Sequence, residues 1–556
     1  MKKRIFASLL AVSMLVGSLA ACSNPGSQDS SGSSTSSAES SEPTVETRDI
    51  NGLTLPICED KQEISVLLVY DGNVVDNLND IAGVQAMEEA TNVHVNWTTY
   101  TQAEMPERFQ QLLATGEYFD IMFPGGVESY PGGYEQGIED GVLIDMDSHI
   151  QEYMPNYLSL LNSNEEAMKQ AKSTDGKLHA VRVIKGTDEI VQGPGAIMGP
   201  AYRADILEEM DEDVPETVEE LHQLLIKCRD RGMSAPMTLQ NDGGTTLSLA
   251  WGINTDWSTH YWQYDTETQT VVYPPFAENW DDYLDTMRDW YAEGLIDKNF
   301  TVGSPLLSGD YSNFENDQSL FIDTWFSTVM GSELYTQGFI SNEKVDVKPI
   351  AGIVRNKGDK IVKCSWDALL GQTVFVTTQA EDRIDIISKW LDYWYTPEAI
   401  KYKYYGIEGE SYTIGNGGSI EFTDQILNSP DGLSISDALS RFALRSYFGY
   451  QSSTGENSVP IAAAKNGSVP MIEAVEVWAS PEVTIHMPEA TLNAEESEYV
   501  NKYMTDITTL MQERMVKYIM GTDTESHDAF REKLKSHNIE ECTKRYQDAV
   551  DRYNAK

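Results

Sequence analysis

The first pattern is a short β-rich apolar run, Ile64-Ser-Val-Leu-Leu-Val-Tyr70, read as a buried strand. Asn77 to Thr91 changes to a helical period, with Ile81, Val84 and Met87 on one face. Val93-His-Val-Asn-Trp97 predicts a second strand and Met105 to Thr115 a second helix, ended by Gly116. Phe119-Asp-Ile-Met-Phe123 predicts a third strand before Pro124-Gly125-Gly126. Strand, helix, strand, helix, strand implies a parallel sheet with helices on its faces.

Further along, Asp175-Gly176 predicts a hairpin turn between Lys172 and Val183. Pro215 to Leu221 carries a capping box, Thr217 with Glu220, ahead of a helix with Leu221, Leu224, Leu225 and Cys228 on one face. Tyr283 to Tyr291 is amphipathic and stops at Gly294; Leu320 to Asp323 and Thr373 to Thr377 are short strands. Ile384 to Tyr395 and Pro397 to Tyr405 are two helices, and Ala494 to Tyr546 is mostly helical.

The N-terminus follows a different pattern. Met1-Lys2-Lys3-Arg4 precedes an apolar stretch, Ile5 to Ala21, that ends in small residues, the shape of a secretory signal over 1–21. A retained membrane helix is the alternative, at the lower limit of spanning length. Residues 22–59 open on Cys22 and continue rich in Ser, Gly, Asp, Glu and Pro, with too little apolar surface to offset ordering entropy, so a disordered tether is expected. The remaining chain of about 500 residues is too long for one core.

The formal net charge is −48, which argues against nucleic acid as a partner. Five cysteines, Cys22, Cys58, Cys228, Cys364 and Cys542, are scattered in neither a disulfide nor a zinc pattern. There is no G-x-S-x-G, P-loop or H-E-x-x-H, and among 88 acids a pair of carboxylates is uninformative about glycoside hydrolysis. Asp145 and Asp147 begin like a calcium loop, but Ile150 stands where that loop requires glycine. No enzyme activity, cofactor or metal is expected.

Leu19-Ala20-Ala21-Cys22 resembles the bacterial lipobox, whose cysteine receives a diacylglyceryl group and becomes the mature N-terminus. That resemblance implies a lipoprotein, acylated by chains such as palmitate and anchored at Cys22 to the outer, extracellular face of the cell membrane. "LLATGEYFDIMF" (Leu112 to Phe123), "STDGKLHAV" (Ser173 to Val181, with His179 where an aromatic is more usual), "YRADILEEM" with "VPETVEEL" (Tyr202 to Leu221), "WYAEGLID" (Trp290 to Asp297) and "YYGIEGESY" (Tyr404 to Tyr412) occur in the order found in extracellular solute-binding proteins of family 1. The chain resembles that family over roughly Ile64 to Gly521.

The resemblance implies an α/β, two-lobed periplasmic-binding-protein fold of type II with a hinge crossed more than once. Lobe 1 is expected at 60–185 plus 318–378, and lobe 2 at 186–317 plus 379–556. It also implies the substrate-binding protein of an ABC importer, a monomer that closes on a carbohydrate, expected to be an oligosaccharide, and delivers it to the permease transmembrane subunits. A peptide receptor or a ligand sensor of the same fold is the alternative.

Sugar hydroxyls need fixed polar partners and their C–H faces pack on rings. The candidates are Trp251, Asp256, Trp257 and Trp262 in one tryptophan-rich loop, Asp323 and Trp325 at a strand end, Trp366 beside Asp367, Glu410 and Tyr412 in the family-marked turn, and Asp120 beside a Gly-Gly loop. The tryptophans have an equally plain reading as core, Asp120 as the partner of a turn, and Arg203 with Asp205 as a salt bridge.

Overall fold

The computed structural model describes residues 47–556 except 73, 126–129, 188–189, 192–197, 240–243, 256–260, 302, 305–307, 310–311, 326–343, 363–368, 447, 453–468 and 482. The signal, Cys22 and residues 22–46 of the expected tether lie outside the described residues. Its last part, 47–59, is not a tether, because Arg48–Ile50 pairs with Leu53–Leu55 and the apolar Leu53 and Leu55 are buried in the first core. Ten strands carry the two larger sheets: β1 (Gln62–Val69), β2 (Val93–Tyr100), β3 (Ile121–Phe123), β4 (Val181–Thr187), β5 (Met198–Arg203), β6 (Met237–Thr238), β7 (Phe321–Trp325), β8 (Val347–Pro349), β9 (Leu370–Val376) and β10 (Tyr450–Ser452). The helices that shape the site and its supports are α1 (Ala82–Thr91), α2 (Met105–Thr115), α3 (Gly133–Glu139), α4 (Asp147–Tyr153), α5 (Pro155–Asn162), α6 (Glu165–Ala171), α7 (Val218–Asp230), α8 (Trp280–Ala292), α9 (Ile384–Tyr393), α10 (Pro397–Tyr404), α11 (Ala494–Ile519), α12 (His527–Ser536) and α13 (Ile539–Asn554).

The first sheet has the order β10-β4-β9-β3-β1-β2, with Ile190–Val191 pairing β4. β1 runs parallel to β2 and β3, and β10 parallel to β4. β9 runs antiparallel between β3 and β4, with Phe375 opposite Met122 and Thr373 opposite Arg182. Strand alternation sends Val66, Leu68, Ile121 and Phe123 into the larger core and Leu67, Met122 and Phe375 into a smaller one that also holds Met105 and Phe109 of α2. The local signals hold: Gly116 takes the left-handed φ of 72° at the end of α2, and Thr217 and Glu220 form both halves of the capping box at α7.

The second sheet has the order β8-β5-β7-β6. Here the structure departs from the expected division of the chain. β7 pairs with β5 and β6, and Phe321 packs in the core with Trp251, Trp280 and Met511, so 318–325 goes with the second sheet. β9 does join the first sheet. α9, α10 and the segment to Tyr450 pack in the first core through Trp390, Trp394, Ile400 and Phe448. The contact is close: a Cβ at Gly83 of α1 would stand 2.4 Å from the Tyr402 carbonyl oxygen and 2.7 Å from that of Phe442. The physical reason is the hydrophobic stripe of α9: Ile387, Trp390 and Leu391 are buried in the first core together with Trp394 and Phe448.

Asp120 joins three strands. Its carboxylate accepts from the Ser65 amide at 2.7 Å, the Ser65 hydroxyl at 2.9 Å and Arg383 at 2.7 Å, while its carbonyl accepts from Thr377. It sits at the start of β3, on the opposite end from the glycine loop. Asp175-Gly176 makes a tight turn, closed by a Ser173 amide to Lys177 carbonyl bond, but only its later arm is a strand. Side chains replace the missing arm: Asp147 accepts from the Leu178 amide, and His179 stands between Asp145 at 2.9 Å and Asp175 at 3.1 Å.

Asp120→Ala leaves the buried Ser65 amide without an acceptor and removes the Arg383 pair. The expected loss is about 2–4 kcal/mol, read from urea unfolding. The His179 clamp sets a pH dependence. Burial alone lowers the imidazole's affinity for its proton, but the bonds and charges of Asp145 and Asp175 outweigh it and raise the pKa above 6.5. Its contribution to stability is complete below 6.5 and is lost as pH rises through the raised value. Against the opposing pull of burial, the same partnership lowers both aspartates below 3.8, so their contribution is lost only as pH falls through those lower values. The urea midpoint is expected to fall as pH rises from 6.5 to about 8, and His179→Gln to remove that slope.

Candidate functional site

A cavity of about 410 Å³ opens between the first sheet and the C-terminal helices of the second core. Its first wall is the carboxyl end of β3 at Pro124, the approach to α3 at Tyr130 and Tyr134, Arg182 of β4, and Gln372, Thr373 and Phe375 of β9. The end of α6 and the turn from Ser173 to Ala180 form one side. The facing wall is Thr491 to Asn493, ahead of α11, and Ala549, Arg552 and Tyr553 of α13. Gly132 and Gly133, with φ of 80° and 87°, bend the chain into α3 and bring Tyr134 to the groove.

The groove is built from rings and fixed polar groups. Tyr130 donates to Asp140 at 2.8 Å and Tyr134 to the Ile144 carbonyl at 3.0 Å, so each ring is oriented from behind. Burial first, then Asp140, pushes the Tyr130 hydroxyl up to about 12, and burial also raises Tyr134, so both are neutral donors at ordinary pH. Arg182 donates from Nε and Nη2 to the Gly371 carbonyl at 3.1 and 2.8 Å, which fixes the guanidinium across β4 and β9. Arg552 forms a fork with Glu496 at 2.7 and 2.5 Å, and Tyr553 donates to Glu166 of α6. The side-chain oxygen of Gln372 is buried in this lining with no hydrogen-bond partner among the described residues.

The residues singled out from the sequence are placed elsewhere. Trp251 is buried in the second core, its Nε1 donating to Asp282 at 2.7 Å and its ring edge-on to Tyr283. Trp262 is buried there too, packed on Tyr273 and Tyr546. Asp256, Trp257 and Trp366 lie outside the described residues. Trp325 ends β7, opposite Met198 of β5. Asp323 is buried and accepts from the Thr246 amide and hydroxyl and the Leu247 amide, holding the loop that follows β6; burial raises its pKa against those bonds. Tyr412 is buried on Tyr405, Glu410 is exposed, and Asp120 is the strand clamp. Arg203 is buried and paired with Asp205 and Asp317.

The groove residues escaped the sequence reading because no motif links them: β3, β4, β9 and α13 meet only in the fold. Two signals were available: Tyr130 and Tyr134 flanking a glycine pair after a strand, and the family-marked turn Ser173 to Val181, which supplies Ser173, Thr174, His179 and Ala180 to the lining. Among the described residues no group of His, Cys, Asp or Glu is arranged to hold a metal. Asp145 and Asp147 are engaged with His179 and the Leu178 amide.

No family model matches the sequence. Among curated proteins, the chain is 20% identical over 370 residues to the fructooligosaccharide ABC transporter substrate-binding protein FusA of Streptococcus pneumoniae. That match covers 63% of this chain and 63% of the relative, less than two thirds of its length. Among solved structures, the alginate-binding protein AlgQ2 without calcium ion superposes with a TM-score of 0.66 at 19% identity, over 89% of this chain and 99% of that one. An HMO-binding, ABC-transporter-associated solute-binding protein from Bifidobacterium longum infantis gives 0.69 at 15% identity over the same shares. FusA of S. pneumoniae in complex with kestose gives 0.68 at 16%, again over 89% and 99%. The chain has the two-lobed α/β fold of these solute-binding proteins.

Proposed function

We propose that the chain is the substrate-binding protein of an ABC importer and captures an oligosaccharide between its two sheets. Four considerations support this reading: the fold, the ligands of the relatives that share it, the order of motifs in the sequence, and the chemistry of the groove. The observation that carries it is the buried, unpartnered oxygen of Gln372 in a groove flanked by Tyr130, Tyr134 and Tyr553. A buried acceptor left without a donor costs about 1–3 kcal/mol, and a sugar hydroxyl donates where none is present. The rings offer faces for sugar C–H groups, while their hydroxyl protons are donated to Asp140, the Ile144 carbonyl and Glu166 and hold the rings in place.

Binding by such a protein is closure. Ligand contacts with both walls favour the closed state over the open one by their difference in affinity. The chemistry required is recognition alone; nothing in the groove is asked to break a bond. Cys22 is proposed as the lipid attachment point, the Ser-rich segment after it as the leash, and the permease transmembrane subunits as the partner that reads the closed form. The protein acts as a monomer on the outer face of the cell membrane.

Calorimetry with a panel of oligosaccharides is expected to give micromolar binding and a smaller radius of gyration by small-angle scattering. Peptides that bind where saccharides give no heat overturn the reading. Gln372→Leu is expected to weaken the saccharide about tenfold, ~1.4 kcal/mol, while the unfolding midpoint holds or rises, because the buried acceptor is gone. In the producing cell, Cys22→Ser is expected to abolish labelling by radioactive palmitate and to move the protein from the membrane to the soluble fraction. An unlabelled wild type refutes the anchor.

A further inference from the structure

The chain carries 40 lysines and arginines against 88 acids, yet the groove reverses that ratio. Its described walls carry Lys172, Arg182 and Lys556 against one acid, Glu135, with His179 and Arg552 each held by carboxylates just outside the lining. Most acids beside it have partners, while Glu489 acts on Lys185 and Tyr553. Glu496 takes both ends of Arg552, Asp145 and Asp175 take His179, and Glu166 accepts from Tyr553.

Arg182 has no carboxylate partner among the described residues. Its Nε and Nη2 donate to the Gly371 carbonyl and its Nη1 to the Gln170 carbonyl at 3.4 Å. Carbonyls orient a guanidinium without neutralising it. Of its five N–H groups, those three bonds leave two free on a side chain already held in place. The lost freedom that weakens most surface arginines as anchors is therefore spent before a ligand arrives.

Like charges crowd both walls. Three residues along β4 and outside the lining, burial pushes the half-buried Lys185 ammonium down; Glu489 pulls it back up and Arg182 adds a smaller downward push. Across the groove, burial pushes Lys556 down, and Lys169 and Arg552 add to it against Glu135. Cations that repel one another beside a partly desolvated cavity are relieved by an anion placed among them.

We propose that the groove takes the carboxylate, or an equivalent oxyanion, of an acidic oligosaccharide, with Arg182 as its two-pronged anchor and Lys172 at the rim. This rests on the reading of the chain as an oligosaccharide-binding protein. Tyr130, Tyr134 and Gln372 then hold the sugar ring that carries the charge, and the local cations act against the repulsion of a chain of net charge −48.

The test is calorimetry on the full chain with three tetrasaccharides of equal length: neutral, hexuronate and sulfated. Free glucuronate and inorganic sulfate serve as competitors. The acidic tetrasaccharides are expected to bind at least about tenfold tighter than the neutral one, and which of the two binds identifies the oxyanion. Arg182→Gln is expected to weaken the acidic sugar about thirtyfold and the neutral one less than about threefold. Lys172→Glu, at an exposed position, is expected to weaken the acidic sugar about fivefold with an unchanged unfolding midpoint, and decides the matter if Arg182→Gln fails to fold. A neutral sugar that binds as tightly, with Lys172→Glu without effect, overturns the acidic preference and leaves the oligosaccharide reading standing. Competition by free sulfate or glucuronate at the affinity of the tetrasaccharide reduces the groove to a bare anion site and overturns the proposal. No heat with any saccharide overturns both.

Discussion

Strand β9 is threaded between β3 and β4, and the groove depends on that insertion. The strand arrives about 250 residues after β3, so closing the loop costs entropy that only specific contacts repay. Asp120 supplies several of them. Its carboxylate binds Ser65 of β1 and Arg383 beyond β9, and its carbonyl takes the Thr377 amide. The three strands are thereby fixed in register, and that register carries Gln372, Thr373 and Phe375 to the groove.

The opposite wall has a different origin. α13 is anchored in the second core by Ile539, Cys542 and Val550. Its last turns leave that core and reach α6 through Tyr553 on Glu166, with the Lys169 ammonium 4.1 Å from the centre of the Tyr553 ring. The helix runs from the second core to α6, and the space beside its last turns is the groove. A ligand there touches the first sheet and a helix of the second core together, which is the geometry a closing protein needs.

The sequence was informative wherever structure is local. The i, i+3, i+4, i+7 face of Leu221 to Cys228, the capping box at Thr217 and the stop at Gly116 depend on residues a few positions apart, and each stands where it was expected. Assignment of elements to sheets was less legible. The run at Phe321 is a strand in either sheet; its pairing with β5 and β6 decides which, and no local feature encodes that choice. The aromatic loop was ambiguous for the same reason. Trp251 and Trp262 read equally well as ligand stacking or as core, and the structure buries both against residues as distant as Asp282 and Tyr546.

By itself, then, the chain determined the kinds of element, their order, their caps, an acidic surface and the α/β class, because those follow from periodicity, propensity and charge within short windows. The tertiary structure alone decided which strands are neighbours, that Asp120 is a clamp, and that Arg182, Gln372 and Tyr553 share one groove. Those three come from β4, β9 and α13, and only burial of two separate cores brings them within reach of one ligand.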